Sequence, residues 1–334
     1  AIVGLGPVGC TAAILLAEAG LSIVAFECDA AVYKLPRAVN LDGEIIRAFQ
    51  GVARGTKVDE LMQSVRPGDR AGFANSKREW MFGQTFANFG ANGWQPGNMF
   101  DQPELEQYLR NEATVHTNVT SYIGYEVVTI DHENSHPSVS IEALNTTTAM
   151  PASAESTGEV VKVDARYLIS CDGASSFTRK MFNIGWHDLG YNHEWLVVDV
   201  TVGKNHTLSN DTVQVCDPDR IVTYVCTKDP YRRWEFKLNE GETRAEMLAP
   251  EKIHSLIDPW TPRNTYEIRR AAVYEFHAAT ADWWHHDNIF IAGDAAHQTP
   301  PFLGQGMNTG MRDAINLAWK IPMVINGLAG DQLL

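Results

Sequence analysis

Long apolar runs are missing from these 334 residues, and none approaches the length needed to cross a bilayer. Cysteine is sparse. The five present (Cys10, Cys28, Cys171, Cys216 and Cys226) are odd in number and include no C-x-x-C pair. Cys10, Cys28 and Cys171 sit in or beside apolar runs, so they read as buried thiols in a reducing compartment, and a cytoplasmic protein is expected. Cations are outnumbered: 27 Lys and Arg against 41 Asp and Glu leave a formal charge of −14. That balance argues against nucleic acid or an anionic membrane surface as a partner. There is no P-loop, no zinc pattern and no G-x-S-x-G nucleophile elbow. The adjacent histidines of Trp283-Trp-His-His286 would point to opposite faces of a strand and have no carboxylate at ligand spacing, so a structural turn and no metal are expected.

What remains is an ordinary globular composition, 44% apolar and 20% charged, long enough for a large core and two domains. Ala1 falls inside an apparent strand and Leu334 follows a helix with no clear terminus, so a piece of a longer chain is expected.

Three stretches share one logic. Near the end, the apolar run Ile289–Ala292 reads as a buried strand that stops at Gly293-Asp294. Two prolines (Pro300, Pro301) and two glycines (Gly304, Gly306) follow. Met307, Met311, Ala314, Ile315 and Ala318 then recur at helical spacing. A strand thus delivers a carboxylate to its carboxyl end, and a helix opens just beyond with free N–H groups and a positive dipole end. Such a site suits a flavin: the acid accepts from ribityl hydroxyls, and the helix end faces the ring edge that gains negative charge on reduction.

The start of the chain supplies the second stretch. Ala1-Ile-Val-Gly-Leu-Gly-Pro-Val-Gly9 leads into a helix with Ala12, Leu15, Leu16 and Ala19, closed by Gly20. Ser22-Ile-Val-Ala-Phe-Glu27 is the next strand. Gly4 permits the tight turn, Gly6 lets the backbone approach a pyrophosphate, and Gly9 lets helix and strand pack. Glu27 stands where an acid binds ribose hydroxyls, which favours FAD or NAD over a 2′-phosphate. In the third stretch, Arg166 to Arg179, a strand ends at Asp172-Gly173 before a further helix.

Elsewhere, Arg37 reads as a phosphate or flavin contact or as a surface arginine. Gln102, before Pro103 at a helix start, is either a cap or aimed at a cofactor. A hairpin is expected around Ala71 to Phe82, with Trp80, Phe82, Phe86, Phe89 and Trp94 in the core. Asn145 to Thr157 reads as a loop. Residues 195 to 276 are mainly strands, an inserted antiparallel layer whose Tyr224, Trp234 and Phe236 either line an apolar substrate pocket or form plain sheet core.

Taken in order, Gly4/Gly6/Gly9 with Glu27, Asp172-Gly173 and Gly293-Asp294 resemble the single-component FAD aromatic hydroxylases of the p-hydroxybenzoate hydroxylase fold. Pro36-Arg-Ala-Val-Asn-Leu-Asp-Gly-Glu44, Phe100-Asp-Gln-Pro103, Cys216-Asp-Pro218 and Gly304–Ala314 are most similar to 3-(3-hydroxyphenyl)propionate hydroxylases within that family. The resemblance implies an α/β (α+β) fold. A Rossmann-like FAD-binding domain would span residues 1–70, 100–180 and 277–334, and a mainly antiparallel β-sheet substrate domain would span 71–99 and 181–276. It implies that Gly4, Gly6, Pro7, Val8, Gly9 and Glu27 hold the ADP half of FAD, that Arg37 and Gln102 sit near the pyrophosphate, ribityl chain or moving flavin, and that Asp172 belongs to a stretch linked with both FAD and the nicotinamide nucleotide. Gly293 and Asp294 would bind the ribityl chain. Pro301, Gly304, Gly306, Met307 and Asn308 would lie along the flavin ring, with Pro301 and Arg37 shaping the reacting face.

The implied activity is hydroxylation of a phenolic aromatic acid with NADH or NADPH and O2, through a flavin C4a-hydroperoxide, in a cytoplasmic enzyme with room for a homodimer. Rival readings are a hydroxylase of a larger polycyclic aromatic, a flavin oxidase or dehydrogenase, and a prenyl-binding chaperone of the same fold that has lost its flavin.

Overall fold

The protein is described by a computed structural model that covers residues 1–35, 37–52, 56–86, 89–132, 139–146 and 156–334. It forms two compact units, one of Ala1–Ala38, Pro103–Leu189 and Ala278–Leu334, the other of Val39–Gln102 and Gly190–His277.

The first unit is built on a six-stranded sheet. Its order is His285–His286, Ile289–Ile291, Leu168–Ser170, Ile2–Val3, Ile23–Glu27, Val119–Ile123. Neighbours run parallel except His285–His286, which folds back on Ile289 and Phe290. The central strands are buried on both faces, which is why they read as continuous apolar runs rather than as alternation. An antiparallel three-stranded sheet (Tyr125–Asp131, Val139–Thr146, Ser156–Ala165) covers one face. Its Val127, Ile130, Ile141 and Ala143 pack on Val3, Phe26, Leu168 and Ile289. The helix Pro7–Glu18 is buried along its length from Gly9 to Ala17 and packs on the helix Gly306–Ile325. Gly20, at φ +84°, ends the first helix in the left-handed conformation that favours glycine. Of the expected loop from Asn145 to Thr157, residues 147–155 lie outside the described residues.

The second unit carries a mixed sheet. The strands of that eight-stranded sheet follow the order His297–Gln298, Tyr266–Ala281, Trp186–Val202, Tyr231–Lys237, Val222–Cys226, Thr212–Cys216, Arg70–Asn75, Trp80–Thr85. Thr212–Cys216 and Arg70–Asn75 pair in parallel, while the pairs flanking them are antiparallel. The two-residue alternation of a strand sorts the side chains cleanly. Leu196, Val198, Val200, Tyr224, Trp234 and Phe236 form one apolar face, covered by Met247, Ile253 and Ile257 of the helices Arg244–Met247 and Pro250–Ile257. Asp199, Arg233 and Glu235 occupy the opposite face and are also buried. On that side Val225 packs against Val39 and Met99.

This architecture bears out the inserted, mainly antiparallel layer, but two expectations change. Residues 39–70 and 100–102 belong to the second unit and not to the first, and 181–189 belong to the first. The reason is pairing: Asn40–Asp42 and Val65–Pro67 both bond to Gly97–Phe100, so the segments flanking 71–99 fold with it. The expected hairpin is present as Arg70–Asn75 and Trp80–Thr85, yet Phe82 and Phe89 are 62% and 75% exposed and not core. Phe82 instead stacks on Phe73, ring centroids 4.5 Å apart. Among the described residues no helix is long and apolar enough to cross a membrane.

Candidate functional site

The carboxyl edge of the parallel sheet gathers the three motifs. Reading across it, Ile289–Ile291 leads to Asp294, Leu168–Ser170 to Asp172, Ile2–Val3 to the glycine loop, and Ile23–Glu27 ends on Glu27 itself. In open α/β sheets this is the edge where ligands bind, because the loops there are free to carry function.

The glycine loop is tightly defined. Gly4 has φ +88° and donates to Phe26 O at 2.8 Å, while a Cβ at Gly4 would lie 2.4 Å from Cys171 O. A Cβ at Gly9 would fall 1.8 Å from Gly4 O, so helix and loop touch only because that atom is missing. Gly6 differs: a Cβ there would meet nothing within 4 Å. Gly6 is the N-cap of the helix Pro7–Glu18, with no side-chain cap and Pro7 in the first turn. The loop therefore presents an open backbone concavity and uncapped N–H groups, which suits a phosphate.

Glu27 is buried and bonded on both oxygens, to Leu5 N–H at 2.7 Å and to Asp29 N–H at 2.8 Å. Burial and the neighbouring Glu27 push the Asp29 carboxyl upward. Asp172 accepts from Thr178 N–H at 2.9 Å through Oδ2, while its Oδ1 is buried without a hydrogen-bond partner. An orphaned buried acceptor beside an open glycine loop is what a bound hydroxyl or N–H donor would complete.

Gly293 sits at φ +63° and donates its N–H to Asp313 Oδ2 at 2.9 Å; the same oxygen is 2.7 Å from His297 Nε2. The next residue, Asp294, has its carboxyl pushed up by burial and lowered in turn by His297 and Arg37. Arg37 lies over the Tyr33 ring, 4.5 Å from its centroid. Beyond it, Pro301 precedes a short turn over Phe302–Gly304, in which Leu303 is left-handed (φ 63°) and 74% exposed. Such strain in a non-glycine residue is characteristic of functional loops. The helix Gly306–Ile325 then begins with no side-chain cap, so the N–H groups of its first turn, Gly306 and Met307 foremost, are not held by a capping side chain. Asn308 is fully buried and donates to Gly304 O at 3.0 Å.

Nearly all the expected cofactor residues of the first unit thus stand along one edge. Gln102 lies at the last position of a second-unit segment, buried at the start of the helix Gln102–Val115. Tyr224, Trp234 and Phe236 stand in the sheet core under the helices, each at most 1% exposed, which is the plain-core arrangement and offers no surface to a ligand. Two residues escaped the sequence reading. Asp313 has its signal in helical spacing, two turns beyond Gly306. Arg110 forms an i, i+4 pair with Glu106 that reads as an ordinary surface pair.

A sheet edge with this loop, these acids and two uncapped helix starts defines a dinucleotide-binding flavoprotein, and comparison agrees. The chain belongs to the FAD-binding domain family, which it matches over residues 1–334. Over 329 residues it is 33% identical to a probable NADH-specific resorcinol 4-hydroxylase of Rhodococcus jostii (strain RHA1), covering 98% of this chain and 59% of that protein. It is 31% identical to the 3-(3-hydroxy-phenyl)propionate/3-hydroxycinnamic acid hydroxylase of Escherichia coli (strain K12), covering 100% of this chain and 57% of the relative. The chain therefore spans less than two thirds of these relatives. The fold is shared with p-nitrophenol 4-monooxygenase PnpA from Pseudomonas putida DLL-E4 (TM-score 0.83, 23% identity, 99% of this chain and 81% of that one). It is shared also with aklavinone-11 hydroxylase, solved with FAD and aklavinone (TM-score 0.81, 22% identity, 98% and 63%).

Proposed function

We propose that this chain is the FAD-carrying part of an NAD(P)H-dependent aromatic hydroxylase whose substrate is a phenol of the 3-(3-hydroxyphenyl)propionate or resorcinol kind. The observation that carries the reading is the alignment of Glu27, the glycine loop, Asp172 and Asp294 along one carboxyl edge of the parallel sheet. The names of relatives at 31% and 33% identity support the substrate class.

In this reading FAD, when bound, supplies the redox chemistry that takes electrons from NADH or NADPH and passes one oxygen atom of O2 to the aromatic ring. The residues supply position. Gly6 with the N–H groups of Val8 and Gly9 receives the diphosphate, with Pro7 fixing the first helical turn. Glu27 accepts from Leu5 N–H, Asp29 N–H and the Cys28 thiol, and offers the ribose what remains of the about four acceptor sites of a carboxylate. Asp294 and Asp172 accept from polyol hydroxyls. The N–H groups of Gly306 and Met307 stabilise negative charge on the ring edge they face. Gly304 and Pro301 fix the turn that leads into that helix, and Arg37 contributes a cation that lowers the Asp294 carboxyl against the effect of burial. No side-chain nucleophile is required. A formal charge of −14 supports a small-molecule partner over nucleic acid.

The test is NADH and NADPH consumption by the FAD-loaded protein, with and without resorcinol or 3-(3-hydroxyphenyl)propionate, each product being weighed by mass spectrometry. Phenol-stimulated consumption with a product heavier by one oxygen atom is expected. Firm FAD binding with no stimulation by any phenol would sink the hydroxylase reading in favour of an oxidase or dehydrogenase. Failure to bind FAD would favour the flavin-free chaperone.

A further inference from the structure

Arg110 is a buried cation to which the chemistry above assigns no task. It stands on the helix Gln102–Val115 in the first unit, and its guanidinium reaches three ways. Nε donates to Leu5 O at 3.1 Å, Nη1 to Asp29 O at 3.2 Å, and Nη2 to Glu106 Oε1 at 3.2 Å. The same Nη2 lies 3.5 Å from Glu27 Oε2. Leu5, the middle residue of the first G-x-G, is therefore gripped at both ends of its backbone, its N–H by Glu27 and its C=O by Arg110. Asp29, just past the acid strand, is gripped likewise: its N–H by Glu27 and its C=O by Arg110.

We propose that Arg110, seated by Glu106, is the positioning residue that sets the nucleotide half of the cofactor site by fixing the Leu5 and Glu27 geometry between glycine loop and acid strand. This rests on the FAD assignment. The physical case is that a planar fork satisfies several fixed acceptors at once, whereas an ammonium is a single point charge. Leu5 O and Asp29 O belong to separate loops. One guanidinium bridging them fixes their separation, and with it the distance between the open Gly6 concavity and the Glu27 carboxylate. The diphosphate and the ribose are recognised at those two places, so a change in their separation weakens both contacts together.

The flavin half depends on other residues, Asp294 and the start of the helix Gly306–Ile325, none of which Arg110 touches. Loss of the fork therefore costs affinity selectively for ligands that carry an ADP moiety.

The experiment measures dissociation constants of FAD, ADP and FMN for the wild-type, R110M and R110K proteins by fluorescence titration, beside the melting temperature of each apoprotein. Both variants should bind FAD and ADP on the order of 10–100-fold more weakly, as expected when charge-assisted contacts are lost. FMN affinity should stay within about twofold, inside the range of substitutions that leave a site untouched. Lysine should not rescue ADP binding, because it keeps the charge and loses the fork. Full rescue by R110K would overturn the inference by reducing the role to charge alone. Equal losses for FMN and ADP would overturn it by showing general damage to the fold. If R110M does not fold, R110K, which keeps a cation in the same cavity, carries the comparison. A wild-type protein that fails to bind FAD would instead overturn the cofactor reading itself.

Discussion

Asp294 and Glu235 show how burial sets the behaviour of single carboxylates in the two units. Asp294 stands at the end of a parallel strand with its carboxyl raised by burial, and His297 and Arg37 draw it back. Its replacement, Asp294→Asn, should weaken FAD binding by roughly 10-fold or more through loss of a charge-assisted acceptor, with little change in apoprotein melting. Flavin titration and a thermal melt separate the two outcomes. Glu235 lies on the charged face of the second sheet and has its carboxyl pushed up to about 7. Burial is the main cause; Asp199 adds to it, while Arg233 and Arg270 oppose it. The folded state therefore holds that proton more tightly than the unfolded chain, whose glutamate titrates near 4.5. Its contribution to stability is full below the unfolded value and is lost as pH rises through about 7. E235Q should flatten the stability profile across that window, by up to roughly 3 kcal/mol at its alkaline end. An unchanged slope in denaturant melts from pH 4 to pH 8 would refute the assignment.

Elements explain which features could be read in advance. The βαβ start, the Asp172-Gly173 turn and the Gly293-Asp294 turn were legible because their cues are local: an apolar run, a glycine whose φ must be positive or whose Cβ would collide, and an acid at a fixed offset. The chain order of those cues also fixed their neighbourhood, since parallel strands place successive carboxyl ends on one edge. Tyr224, Trp234 and Phe236 show where local cues stop. Period-2 alternation says that they share a face, but not that the helices Arg244–Met247 and Pro250–Ile257 cover it. Phe82 and Phe89 went the same way: aromatic character suggested core, and exposure depends on which chain segments arrive from far away. The unit boundary at Ala38 was hidden because strand pairing with Gly97–Phe100 is non-local. The glycine loop gives an element-scale prediction. G6A adds a methyl group that meets no protein atom within 4 Å, so the apoprotein should melt as the wild type does while FAD affinity falls. G9A places the same methyl 1.8 Å from Gly4 O and should lower the melting temperature outright. Similar melting of the two variants would show that the loop is not packed as described.

At the scale of the whole molecule, the chain combines a unit built on a mainly parallel sheet with a second unit whose mixed sheet has one apolar and one charged face. The match to the FAD-binding domain family runs over residues 1–334 and so includes both units. The chain spans 57–59% of the hydroxylase relatives it matches, so the activity is a proposal to be measured directly. The most direct measurement is incorporation of isotopically labelled dioxygen into a phenolic substrate, read by mass spectrometry of the product formed with NADH or NADPH. One labelled oxygen atom per molecule of hydroxylated product is the expected result. Consumption of nicotinamide nucleotide with all the label recovered as peroxide, and no labelled product from any phenol, would contradict assignment of this chain to an aromatic hydroxylase.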